Sequence, residues 1–106
     1  MADGAMTFRD AVRAKLEETA GPVFYSDIAA HLNRDAAFVV AKSVSLIECA
    51  VAVATDDLAL VEAWVNRGEL RKPSRAERDA WPGEAGRQWL AVVVQPFVLV
   101  QEVEAT

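Results

Sequence analysis

The run Trp89-Leu-Ala-Val-Val-Val-Gln-Pro-Phe-Val-Leu-Val-Gln-Glu102 limits what this chain can become more than any other segment. Its apolar residues are continuous and do not alternate with polar ones, the pattern of strands covered on both faces. Gln95-Pro96 is not the Asn-Gly type of pair that closes a tight hairpin, so the segment reads as one long strand bent at Pro96. A strand buried on two sides needs helices to bury it.

The helices are announced mainly by their starts. Thr7 and Asp10 have capping-box spacing ahead of an apolar stripe of Phe8, Ala11, Val12 and Leu16, with Arg9, Arg13 and Glu17 expected to face away and Gly21-Pro22 ending the helix. Ser26 could cap a short helix carrying Ile28, Ala29 and Leu32. Phe38-Val-Val-Ala41 reads as a buried strand. Ser45 and Glu48 repeat the capping box before a segment apolar on nearly every side, and Asp56 is a natural N-cap for a helix with the stripe Leu58, Val61, Trp64 and Val65. Gly68 stands where a left-handed C-terminal residue is expected. Glu69 to Lys72 has room for an edge strand before Pro73. Ser74 and Glu77 predict a further short helix toward Trp81, ended by Pro82-Gly83. Met1 to Met6 read as a lead-in that frays.

At 106 residues, with 53% hydrophobic and 25% charged side chains, the chain fits one domain over 1–106 with an ordered core of about 7–102. A formal charge of -5 opposes nonspecific binding to nucleic acid and anionic lipid. The longest uncharged run, Gln88 to Gln101, is shorter than the roughly 20 residues of a membrane-crossing helix, and no membrane association is expected. The single cysteine, Cys49, and a start at Met1 unlike a secretory signal point to a cytoplasmic protein.

Reactive chemistry is sparse. Arg67, Arg71, Lys72, Arg75 and Arg78 hold five of the eleven basic residues. With the helix start at Ser74, the residues Arg71, Lys72, Ser74, Arg75 and Arg78 form a candidate anion or phosphorylated-metabolite site. The opposing reading pairs those charges with Glu69, Glu77 and Asp79 on a solvated surface. Ser26 to Asn33 resembles the first helix of a helix-turn-helix, but the acidic and apolar residues that follow do not suit a recognition helix.

His31 is the only histidine, so a two-histidine metal site or a triad with a spare base cannot be built within one chain; Asp27, one turn back, would be its partner as a base. Cys49 lies in the most apolar helix and reads as an inert small hydrophobe. Asp56-Asp57 could face a metal, but capping and the helix dipole account for them. Trp64 and Trp89 fall on apolar patterns. Trp81, beside Pro82-Gly83, is expected to be the exposed tryptophan and to mark an interaction surface. No catalytic residue, cofactor or metal is assigned.

Three pieces resemble a known bacterial family, the domain of unknown function 2288. They are Leu46 to Asp57, with alternating Ala and Val ending in an acidic pair; Val61 to Gly68, containing Trp64; and VVVQPFVLVQE over Val92 to Glu102. With their spacing they span most of residues 8–102. The resemblance implies a small bacterial protein and carries over no catalytic residues. An acidic residue often stands just before the apolar helix in that family, where this chain has Lys42-Ser43-Val44-Ser45.

The expected architecture is α+β. A small mixed sheet of about three strands, at 38–41, 69–72 and the bent 89–100, packs against three to five helices. The expected function is that of an accessory or protein-interaction module, with an unknown protein partner or a second copy as its mate and anion binding by the 67–78 segment as the alternative.

Overall fold

The computed structural model describes residues 7–103; Met1 to Met6, read above as a fraying lead-in, lie outside them. The elements in chain order are α1 (Phe8–Thr19), β1 (Gly21–Val23), α2 (Tyr25–Asn33), β2 (Ala37–Val40), α3 (Leu46–Ala54), α4 (Leu58–Asn66), β3 (Leu70–Arg71), α5 (Arg75–Ala80), β4 (Trp89–Val94) and β5 (Phe97–Glu102), with a 3-10 turn at Trp81–Gly83 before β4.

Most local signals act as their chemistry requires; Ser26 is the exception, lying inside α2, whose N-cap is Phe24. Thr7 Oγ1 accepts from Asp10 N–H at 3.0 Å and the Asp10 carboxylate accepts back from Thr7 N–H at 3.4 Å, completing the box that starts α1. Ser74 and Glu77 do the same for α5 at 3.1 and 2.8 Å. Ser45 caps α3, but Glu48 leaves that box half built: its carboxylate turns instead to Arg13 of α1. Arg13 and Arg9, expected on the outer side of α1, therefore face α3, where Arg9 donates to Thr55 Oγ1. Phe8, on the expected core stripe, is 76% exposed. The wheel places Val12 and Leu16 correctly in the core and Glu17 outside, but the inward side of α1 is rotated toward the arginines because α1 packs on α3, whose polar ends attract them.

Three helices end in the same way. The N–H groups of Asp35 and Ala36 bond back to Leu32 and His31, those of Asp56 and Asp57 to Val53 and Ala52, and those of Gly68 and Glu69 to Val65 and Trp64. Each is a Schellman closure, with Asp35 (φ 59°), Asp56 (φ 63°) and Gly68 (φ 74°) in the left-handed position. Asp56 thus ends α3, and Asp57 is the N-cap of α4, accepting from Leu60 N–H at 3.3 Å. A side chain at positive φ is strained, so Asp56→Gly is expected to stabilise the fold by about 0.5–1 kcal/mol. Chemical denaturation of the two proteins measures it.

The sheet has five strands in the order β1-β4-β5-β2-β3. This corrects two expectations. The apolar run is not one bent strand: β4 and β5 form an antiparallel hairpin, with Val94 opposite Phe97 and Trp89 opposite Glu102. Gln95 and Pro96 are its turn, joined by a cis peptide bond. Proline's missing N–H falls at a position from which the ladder needs no donor. The second correction is β1, because Gly21–Val23, read only as a helix stop, pairs with Ala91–Trp89. β2 runs parallel to β5 and antiparallel to β3.

Alternation sends β4 and β5 side chains to two different cores. Val92, Val94 and Leu99, with Val40 and Leu70, meet α1, α3 and α4, including the fully buried Cys49, Ala50, Val51 and Ala52. Trp89, Ala91, Val98 and Val100, with Ala37 and Val39, meet Ile28 and Leu32 of α2 and Trp81. Helices on both faces explain why this run does not alternate. Trp81, expected to be exposed, is only 3% exposed, with its ring centroid 5.1 Å from that of Trp89. Pro82-Gly83 turns the chain without lifting the indole off the sheet.

Gln101 ties a loop to the hairpin. Its Nε2 donates to the carbonyls of Ala41 and Val44 at 2.8 and 2.7 Å, fixing the path from β2 into α3.

Candidate functional site

The residues singled out in the sequence do not come together as one constellation. The carboxylate of Asp27 accepts from Phe24 N–H at 2.9 Å as part of the start of α2, while His31 Nδ1 is buried without a hydrogen-bond partner. Asp56 and Asp57 serve two successive helix ends. The Cys49 thiol, fully buried in α3, has its pKa pushed up to about 11 by burial, so at neutral pH it is a thiol and not a nucleophilic thiolate. Among the described residues no group of three or more His, Cys, Asp and Glu side chains is placed to hold a metal ion. No helix among them is long and apolar enough to cross a membrane. The strand β2, not a second helix, follows α2.

The basic segment is drawn into ion pairs. Arg71 grips Glu77 through two nitrogens at 2.7 and 3.0 Å. Lys72 Nζ lies 2.6 Å from Asp35, and Arg78 lies 2.7 Å from the other oxygen of the same carboxylate. Arg78 also donates to the Leu32 carbonyl at 2.9 Å, supplying a partner at the C-terminal end of α2. Arg67 pairs with Glu69 at 2.9 Å, and Arg75 is exposed. Ser74 serves its own helix, since its N–H is taken by Glu77 and its hydroxyl by the Glu77 N–H. Asp35 is the partner the sequence reading missed. Its signal is its left-handed place between α2 and β2, which carries the carboxylate toward Lys72 and Arg78.

The hydrogen bonds from Arg71, chiefly, and then the N–H of Ser74 hold the Glu77 carboxyl down to about 2 against an ordinary 4.5. A carboxylate with a lowered pKa stabilises the fold above its unfolded value, and the stabilisation drains away as pH falls from about 4.5 through about 2. Its side chain is 26% exposed, so water screens part of the pair. Glu77→Gln is expected to cost about 1–2 kcal/mol at neutral pH, and the gap from wild type should narrow below about pH 4.5 and close only as pH falls through about 2. Urea unfolding across that pH range reads both.

The concavity that these elements build is apolar. A cleft of about 350 Å³ opens between the second halves of α3 and α4 and the sheet face that carries Phe38, Leu70, Phe97 and Leu99. Val53 closes it from α3, and Val61 and Val65 from α4. Phe38 and Phe97 meet edge to face at 5.5 Å on its floor. Arg71 and Lys72 complete the lining. Arg71 stands opposite Val39 in the β2–β3 register, on the other face from Leu70, so continued alternation sends Lys72 to the side of Leu70 and Phe38. The apolar surface continues outward from the cleft: Val65 is 52% exposed and Leu58, two turns earlier on α4, 67%. Both were expected on a buried stripe, but the helix buries Trp64 and leaves them outside.

The fold is similar to that of PA1075 from Pseudomonas aeruginosa, known as an NMR solution structure, with a TM-score of 0.75 and 27% sequence identity over 99% of this chain and 93% of that one. None of the curated proteins compared matches the chain. The family model DUF2288, "Protein of unknown function", matches residues 11–102, from the first turns of α1 to the last residue of β5, and the chain belongs to that family.

Proposed function

We propose that this protein is an accessory or interaction module rather than a catalyst, and that it works by holding an apolar group of its partner in the cleft between α4 and the sheet. The observation that carries this reading is the cleft itself. A volume of about 350 Å³ lies in the range of specific ligand sites, and its walls are valine, leucine and phenylalanine. It continues into the exposed Leu58 and Val65, an apolar surface that a partner would bury. The sheet edges favour the cleft over strand pairing. The edge strands β1 and β3 have three and two residues; Pro22 removes a donor from β1, and Pro73 stands just past the end of β3.

The neutral fluorophore N-phenyl-1-naphthylamine tests the reading. It should bind saturably to the native protein with enhanced emission. Val65→Asp, at a half-exposed position in the cleft wall, should remove that binding, and Phe8→Asp, on the exposed side of α1, should leave it unchanged. Binding insensitive to Val65→Asp, or no saturable binding, would overturn the assignment.

A second reading keeps Arg71, Lys72, Ser74, Arg75 and Arg78 as a site for inorganic or metabolite phosphate. Its support is that Arg71, Lys72 and Arg78 are three cations set against two carboxylates, Asp35 and Glu77. Saturable thermal stabilisation by inorganic phosphate that Arg71→Ser with Lys72→Ser abolishes would favour it.

A further inference from the structure

Resting on the cleft reading above, we infer that the cleft's ligand is a small amphiphilic carboxylate, a medium-length acyl or aryl acid whose apolar body fills the cleft and whose carboxylate lies at Lys72. Three observations converge. The first is size: at roughly 30 Å³ per small group, a volume of about 350 Å³ admits about ten such groups, a short acyl chain or a fused pair of rings. The second is that Arg71 and Lys72 are the two charged residues in the lining, and both are cations. The third is the charge balance beside them. Asp35 is shared between Lys72 and Arg78 while Glu77 serves Arg71, so these three cations keep one positive charge that the two carboxylates do not cancel.

Lys72 is the better placed of the two lining cations. Arg71 spends both terminal nitrogens on Glu77, whereas Lys72 has one recorded partner for three N–H donors and a side chain 55% exposed. A carboxylate arriving at Lys72 can bind while Asp35 keeps its bond to Arg78. The pairing that made the basic segment look like an internally satisfied surface thus leaves one donor group over, on a residue that lines the apolar cleft.

The test is an NMR titration of the full chain, labelled with nitrogen-15, using octanoate, 1-octanol and octyltrimethylammonium as probes of equal chain length. Octanoate should shift the amides around Phe38, Val61, Val65 and Phe97 saturably. Octanol should bind the same site about five-fold more weakly, and the cationic probe more weakly still. Lys72→Gln, at an exposed position, should erase the preference for octanoate while leaving octanol unchanged. Equal binding of octanoate and octanol, unaffected by Lys72→Gln, would overturn the carboxylate inference and leave the apolar cleft standing. No saturable shift with any probe would overturn both.

Discussion

Replacing Trp89 with alanine is expected to cost about 3–5 kcal/mol, enough to remove a large share of the stability of a domain this size. Trp89 is 1% exposed, the largest of the side chains that are almost wholly buried. Its ring rests against Trp81, and the Arg87 guanidinium stands 4.8 Å from its centroid on the way into β4. Arg87 in turn pairs with Glu84 and Glu102 at 2.8 Å each, so the indole sits under a clamp that closes the loop before the hairpin. Its removal therefore leaves a cavity, strips Trp81 of its stacking partner and loosens the loop. Urea denaturation reads the loss. The double variant with Trp81→Ala should cost less than the sum of the singles, because the two rings share a contact.

The second large effect is expected at the floor of the cleft. Leu99 is 1% exposed, stands between Phe38 of β2 and Val92 of β4 in the sheet register, and packs in the core under α3. Leu99→Ala should cost about 2–4 kcal/mol, somewhat below a fully enclosed leucine because one side already faces the cleft. The same change should deepen the cleft, so the variant is predicted to lose stability while binding octanol at least as tightly as wild type. Denaturation and the octanol titration, run on one sample, separate these effects.

How much of this could be seen in the sequence depends on how local the governing physics is. The capping residues Thr7, Ser45 and Ser74 were legible because a hydroxyl and an N–H three residues on need nothing else. Gly68 was legible for the same reason. Burial of the β4–β5 run on both faces was legible from its lack of alternation. Its division into a hairpin was not, because Gln95-Pro96 carries no hairpin signature that a reader would weigh above a continuous apolar pattern. β1 was hidden because Gly21-Pro22-Val23 becomes a strand only by pairing with residues about seventy positions later.

The site was legible only in pieces. The basic segment stood out by composition, yet its main partner, Asp35, lies 37 residues from Lys72 and 43 from Arg78. The cleft draws its walls from α3, α4, β2, β3 and β5, so no window of sequence contains it. Trp81 was misplaced because an adjacent Pro-Gly pair suggested exposure, while the contact that buries it belongs to Trp89. Membership of the DUF2288 family agrees with the resemblance read from the three pieces; its model spans residues 11–102 and names no partner.

The most direct test of the cleft as the working surface is a set of intermolecular nuclear Overhauser effects between 1-octanol and the methyl groups of the native protein. The account predicts cross-peaks to Val53, Val61, Val65 and Leu99. Cross-peaks that avoid these four and fall instead on other exposed apolar residues, such as Leu90 or Val103, would contradict it.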